Sequence, residues 1–299
     1  MENLIKNSIS PFEEMVAYET LWAMEKSSPK VIAQKFRNYE TTELPTKVLE
    51  EEQKEDFLVK DLYSTVRDFL QNKNSFSVMV YGGFQYPNKL RDAEYPLELF
   101  YYKGNIELVT TKKTISIVGA RNCSEEGKRR AKKIARLLVE KGYTIVSGLA
   151  KGIDTAALTG ALEARGKVIA VIGTPIDEYY PKENKELQDY IASHHLLLSQ
   201  VPFYKYKNEH FKARRYYFPE RNKTMSALSE ATIIVEASDR SGTLTQARAC
   251  FKQKRPLFIL NSCFENPDIT WPHNYSKRDN VYRVQDINDI IQVLEQKQL

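Results

Sequence analysis

Cysteine is scarce in this chain of 299 residues: Cys123, Cys250 and Cys263 are the three present, far apart in sequence. That spacing excludes a disulfide framework and a paired-thiolate metal or redox site. Histidine is equally sparse. His194, His195, His210 and His273 form no HExxH or other metal-ligand spacing, so neither a metal nor a cofactor is expected. No hydrophobic run approaches the ~18 residues that span a bilayer. The opening residues, Met1 to Lys6, lead into no apolar stretch of the kind a secretory signal needs, and a cytoplasmic protein is expected. Nucleotide fingerprints are missing too. No GxGxxG follows the first candidate parallel strand. The nearest approach to a Walker A loop, Gly160 to Lys167, has one residue too many, lacks the closing Ser or Thr and follows a helix.

What is present is an ordinary globular balance, 42% hydrophobic and 28% charged, in a length that suits about two domains. The formal charge of +5 is mildly basic and says little about partners until the charges are placed. Residues 1–75 read as a polar, helical N-terminal domain. Phe12, Met15, Tyr18 and Trp22 recur at helical spacing and predict one amphipathic helix, and a second follows Pro29 with Val31, Ile32 and Phe36 inward. Between 80 and 110, aromatics gather around Pro87 and Pro96, which predicts loops and short strands.

From Thr114 the pattern alternates between short apolar runs and helical periods. Strands are expected at 114–118, 144–147, 167–172, 196–199, 231–236 and 256–260, with helices between them. Apolar runs without polar alternation indicate strands buried on both faces, hence a parallel sheet covered by helices. The fold expected is α/β, a doubly wound, mostly parallel, extended Rossmann-like sheet over 76–265. A short strand–helix extension follows at 266–299.

Ligands of such sheets bind beyond the carboxyl ends of the strands. There the turns carry small and basic residues: Gly119-Ala120-Arg121, Ser147-Gly148-Leu149-Ala150-Lys151-Gly152, Gly173-Thr174-Pro175 and Ser238-Asp239-Arg240-Ser241-Gly242-Thr243. Such turns at helix N-termini can receive a phosphate, although glycine also occurs there for geometry alone. Asp154 and Glu236 at the same edge read as structural carboxylates. The segment 202–225 is the most distinctive. It interleaves seven basic residues (Lys205, Lys207, Lys212, Arg214, Arg215, Arg221 and Lys223) with seven aromatics. That is either a basic surface loop anchored by core aromatics or a path on which phosphates are neutralised and bases stack.

Several motifs in fixed order carry a family resemblance. They are Ser116–Arg121, Val146–Asp154, Gly173-Thr174, Tyr180–Asn184, Phe218–Lys223, Val235–Ala237 and Arg240–Thr243, preceded by Tyr86-Pro87 and Pro96-Leu97. Together they resemble the DNA-processing protein A family (DprA, also called Smf) over roughly 80–262. The resemblance implies a non-enzymatic, usually homodimeric protein that binds single-stranded DNA and loads a RecA-type recombinase in natural transformation. The DNA-binding residues expected are Arg121, Ser147, Gly148, Lys151, Gly152, Phe218, Arg221, Asn222, Lys223, Ser241, Gly242 and Thr243, with Phe218 against a sugar or base. Lys205, Lys207, Lys212, Arg214 and Arg215 would extend the path. Two other readings stay open: a sensor of a nucleotide-derived ligand, and a phosphoribohydrolase-like enzyme. Against the enzyme, Gln246 stands where that family places a carboxylate, and an amide cannot act as a general base.

Overall fold

The uninterrupted apolar runs of the sequence become strands with every residue buried: β3 (Thr114–Val118), β4 (Thr144–Ser147), β5 (Val168–Ile172), β6 (Leu196–Ser199), β7 (Ala231–Ile234) and β8 (Leu257–Leu260). The structure, a computed structural model, describes residues 9–37, 43–56, 58–83 and 85–296; the reading of Met1 to Lys6 lies outside them. Two further strands, β1 (Ser77–Val80) and β2 (Leu99–Gly104), arise in the aromatic stretch, and β9 (Val281–Val284) arises near the C-terminus. All belong to one sheet of order β1-β2-β6-β5-β4-β3-β7-β8-β9. The seven strands from β6 to β9 in that order are parallel, as in Ile145 opposite Val168 and Ile117 opposite Ile233. β2 joins β6, and β1 joins β2, antiparallel. The fold class is therefore the one expected, a mostly parallel sheet with helices on both faces.

Chain direction across the sheet reverses beside β3: β4, β5 and β6 are laid to one side, and β7, β8 and β9 to the other. Reversal leaves the loops after β3 and β7 diverging toward opposite faces, which opens a crevice at the carboxyl edge between them. Helices α5 (Glu125–Glu140) and α6 (Ile153–Glu163) cover one face, α5 by an apolar stripe through Ala131, Ala135 and Leu138. Ser124 caps α5, its Oγ accepting from Gly127 N at 2.9 Å.

The N-terminal helices are α1 (Pro11–Ala23), α2 (Pro29–Arg37), α3 (Pro45–Glu55) and α4 (Leu58–Leu70). The acidic run at 50–56 continues α3. The amphipathic reading of α1 needs correction, because every residue from Glu14 to Trp22 is buried. The helix is enclosed by α3, α4, β1 and the segment following β6, so it has no solvent face. Tyr18, Leu21 and Leu70 accordingly share one core cluster with Tyr101, Ile117 and Ile145 of the sheet. None of the helices in the described residues is long and apolar enough to cross a membrane.

Enclosing α1 buries Glu19 completely. Its carboxylate accepts from Tyr101 Oη (2.5 Å), Phe203 N (2.8 Å) and Tyr204 N (3.0 Å). Burial outweighs these three donors and pushes its pKa up to about 7. A carboxyl whose folded pKa is raised favours the fold most at low pH. Its contribution is complete below the ordinary value of 4.5 and is lost as pH rises through about 7. Glu19→Gln is therefore expected to flatten the stability profile across that window, measured by urea midpoints at each pH. Parallel profiles for both proteins would rule out Glu19 as the titrating group.

Candidate nucleic-acid interface

Two buried side chains of opposite charge lie at the base of the crevice and act on each other through space, without a direct salt bridge. Asp154, in the first turn of α6, is 4% exposed, and Arg221, on α10 (Tyr217–Leu228), is likewise 4% exposed. The Arg221 guanidinium donates to the carbonyl oxygens of Gly148 and, at 2.6 Å, Val171, and its Nε donates to Asn222 Oδ1 at 3.0 Å. Burial lowers the pKa of Arg221 to about 10, partly offset by Asp154. Burial raises that of Asp154, opposed by Arg221 and by the N–H groups of Ala150, Gly119 and Gly148. The guanidinium thus ties the turn after β4 and the end of β5 to α10. Gly148 has to be bare, because a Cβ there would strike the Arg221 guanidinium and lie 2.6 Å from Asp154 Oδ2. Gly152 sits at φ +78°, where a Cβ would lie 2.5 Å from both the Ala120 and Arg121 carbonyls.

Above this pair lies an exposed layer. Arg121, exposed, places its guanidinium carbon 5.1 Å from the Phe218 ring centre and 5.7 Å from that of Tyr180. Its Nη1 donates to Tyr180 Oη at 3.4 Å, and the two rings stand 5.3 Å apart. Gly173 makes room for this arrangement, since a Cβ there would press on the Phe218 ring at 2.6 Å. Two adjoining clefts meet at Arg121, Ala150, Phe218 and Arg221. One runs toward Lys151, Tyr180 and Pro181, the other toward Asn122, Asn222, Ser241 and Thr243. Lys151 is exposed and pairs with Glu183 at 2.5 Å. The loop bearing Arg121 is anchored on the β7 side. Ala120 N donates to Glu236 O (2.7 Å), and Ser124 N and Oγ donate to the Glu236 carboxylate (3.0 and 2.8 Å). Glu236 is thereby a structural clamp. On the same wall Asn222 Nδ2 donates to Gly242 O (3.0 Å), Thr243 Oγ1 to Gly119 O (3.2 Å), and Thr243 N to Ser241 Oγ (3.2 Å).

The candidate residues therefore separate by position. Arg121, Gly148, Lys151, Phe218, Arg221, Asn222, Ser241, Gly242 and Thr243 converge on the clefts. Ser147 does not reach them: it is fully buried and donates to Ile117 O at 2.7 Å. Lys223 faces a different hollow, beside Tyr95 and Trp22, and pairs with Glu220 at 2.7 Å. The backbone N–H groups of Gly119, Gly148 and Ala150 face the Asp154 carboxylate and lower its pKa, so part of the positive field of these turns is directed at that carboxylate.

The basic aromatic segment is helical, forming α8 (Phe203–Asn208), α9 (Phe211–Arg214) and the first half of α10. The sequence leaves this stretch open between an anchored surface loop and a binding path and gives no helical period before Lys223. Pro219 in the first turn of α10 looks like a breaker, yet proline is tolerated where the N–H has no helical partner. Helix formation sorts the side chains. Phe203, Tyr206 and Tyr217 are core; Lys205 bonds Ser27 O at 2.8 Å, and Arg214 bonds Lys207 O at 3.0 Å.

Comparison with known proteins places the chain in a family. The family model described as DNA recombination-mediator protein A matches residues 77–295. The chain belongs to that family. DprA of Streptococcus pneumoniae is 42% identical over 162 residues, which cover 54% of this chain and 55% of the relative. DprA of Bacillus subtilis is 35% identical over 183 residues, covering 61% and 60%. The chain thus matches rather more than half the length of these curated relatives. In three dimensions it is similar to S. pneumoniae DprA with a TM-score of 0.76 at 28% identity, over 95% of this chain and 98% of the other. Helicobacter pylori DprA, whose structure is described in terms of its single-stranded DNA binding mode, matches with a TM-score of 0.63 at 26% identity, over 75% and 98%. As a DprA-family protein the chain falls among DNA-processing and recombination-mediator proteins. Asp154 bears out the structural role read for it, although the sequence gives no sign of Arg221 as its counter-charge; the ring of Tyr180 beside Arg121 is the cleft feature the sequence does not point to. Tyr180 offered no signal beyond its place in the Tyr180–Asn184 motif.

Proposed function

We propose that this DprA-family protein binds single-stranded DNA at the carboxyl edge of its sheet, without catalysing a reaction on it. One observation carries the reading. Arg121 is exposed, forms no ion pair among the described residues, and stands over the Phe218 ring beside Tyr180. A cation free to meet a phosphate, backed by an aromatic face that can meet a sugar or base, is the arrangement that serves a strand of any sequence. Arg221 contributes through the field it lends the crevice and by fixing Gly148 and Phe218 in place. Asn222, Ser241 and Thr243 shape the second cleft. Lys151 lies at the rim. Loading of a RecA-type recombinase, homodimer formation, a cytoplasmic setting and a task in DNA uptake follow from kinship with the family and belong to this proposal. So does the division into residues 1–75, 76–265 and 266–299.

The hydrolase alternative is weakened by Gln246, which is fully buried and donates to Thr232 Oγ1 at 3.1 Å, away from the clefts. The nucleotide-sensor alternative requires a mononucleotide to outcompete a strand. Labelled oligo-dT displaced by unlabelled strand, but by neither duplex nor free nucleotides at matched phosphate concentration, is the expected outcome. Displacement by a mononucleotide at low concentration would overturn the strand reading in favour of the sensor.

A further inference from the structure

The 202–225 segment holds a group of side chains that neither the core nor the Arg121 clefts use. Of its seven aromatics, Phe211 is the most exposed, at 59%. It sits on α9 with the His210 ring as its one aromatic neighbour among the described residues, centroids 4.4 Å apart. Arg215, four residues on and still in helical conformation, falls on the same face one turn away. Lys212 lies next to it in the chain. The segment's other cations are engaged. Lys205 bonds Ser27 and pairs with Glu209, Lys207 lies over Phe69, Arg214 binds carbonyls, Arg221 is buried and Lys223 pairs with Glu220. Lys212 and Arg215 are both exposed, and among the described residues neither forms an ion pair. Folding thus leaves one bare aromatic face and two unneutralised cations together at one tip.

We infer that this tip is a second nucleic-acid subsite, where Phe211 stacks on a nucleobase while Lys212 and Arg215 take the flanking phosphates. The inference rests on the strand-binding reading of the Arg121 clefts and extends it to a separate point of contact. Apolar exposure alone would fit a protein partner equally well. The paired cations favour a polyanion, and a flat ring between them suits a base, whose π-face is common to all sequences. Phe211 lies seven residues before Phe218, so the chain allows at most ~25 Å between them. At ~3.4 Å per stacked nucleotide that separation is on the order of seven nucleotides or fewer. One strand can therefore occupy both points.

The test compares wild type, Phe211→Ala, Phe211→Leu and Phe211→Trp on oligo-dT of about 4 and about 20 nucleotides, the longer one also carrying single abasic sites. An exposed ring can be removed without unfolding, and thermal melting verifies this. Phe211→Ala and Phe211→Leu are expected to weaken the long strand about five- to thirtyfold, the factor matching ~1–2 kcal/mol of stacking, and to weaken the short strand less. Phe211→Trp restores affinity. One abasic position weakens wild type but adds nothing to Phe211→Ala. Wild type binding the long strand while all three variants match it would overturn the subsite and leave the Arg121 reading standing. A change in oligomeric state with unaltered DNA affinity would assign the tip to a protein contact instead. Failure of wild type to bind either strand would remove both readings.

Discussion

Arg121→Ala is expected to weaken binding of single-stranded DNA by about 10- to 150-fold at low salt. That range corresponds to the ~1.5–3 kcal/mol of a hydrogen bond to a charged group, lost from a site where no other cation can take its place. Lys151 is already paired with Glu183, and Arg221 is spent on the carbonyls of Gly148 and Val171. The loss should be uniform across sequences, because a phosphate contact carries no base information. It should also reduce the salt slope by ~0.7, one phosphate's share for a single strand. Arg121→Lys should recover only part of the affinity, since an ammonium keeps the charge but not the planar fork that lies over Phe218. Stability should be untouched, because Arg121 is exposed and supports nothing beneath it. Equal affinity for wild type and Arg121→Ala, measured by anisotropy with labelled oligo-dT, would remove the cleft assignment.

The second large effect concerns the pair below. Asp154→Ala removes the nearby carboxylate that offsets the desolvation of the buried Arg221 guanidinium and that faces the N–H groups of Gly119, Gly148 and Ala150. Removing one of two buried opposite charges costs about 3–5 kcal/mol, far more than removing both together. For a domain of this size that lowers the melting temperature by roughly 6–15 °C. Gly148→Ala should do comparable damage by another route, since its Cβ would occupy the space of the same guanidinium. Both variants are expected to lose DNA binding as well, because the turns presenting Arg121 and Phe218 are referenced to Asp154. A melting temperature for Asp154→Ala within a degree or two of wild type would contradict the structural role of Asp154.

Much of this was legible in the sequence, for identifiable reasons. Strands buried on both faces must be apolar throughout, so 114–118, 144–147 and 196–199 could be read almost to the residue. The reversal of chain direction, which makes the crevice, follows from the fold class. Which small residue faces the crevice does not follow. Ser147 and Gly148 are neighbours on a strand end, and strand geometry sends one into the core and the other to the cleft. Helix register likewise separates Arg221, Asn222 and Lys223, which a motif reads as one block. Aromatics posed the opposite difficulty. Phe203 and Phe211 look alike in composition, and only the packing of α8 against α1 through Glu19 decides that one is core and the other bare. The same packing hides the polarity of α1, whose buried Glu14 and Glu19 gave it an amphipathic look.

The central claim is that the exposed cation–aromatic layer at the sheet's carboxyl edge receives a strand of DNA. The most direct measurement is the affinity of wild-type protein for oligo-dT of about 20 nucleotides across a salt series. Log affinity should fall linearly with log salt, at about −0.7 per neutralised phosphate and with a slope reporting two or more phosphates. Affinity that is undetectable at low salt, or that does not change as salt rises, would contradict the claim.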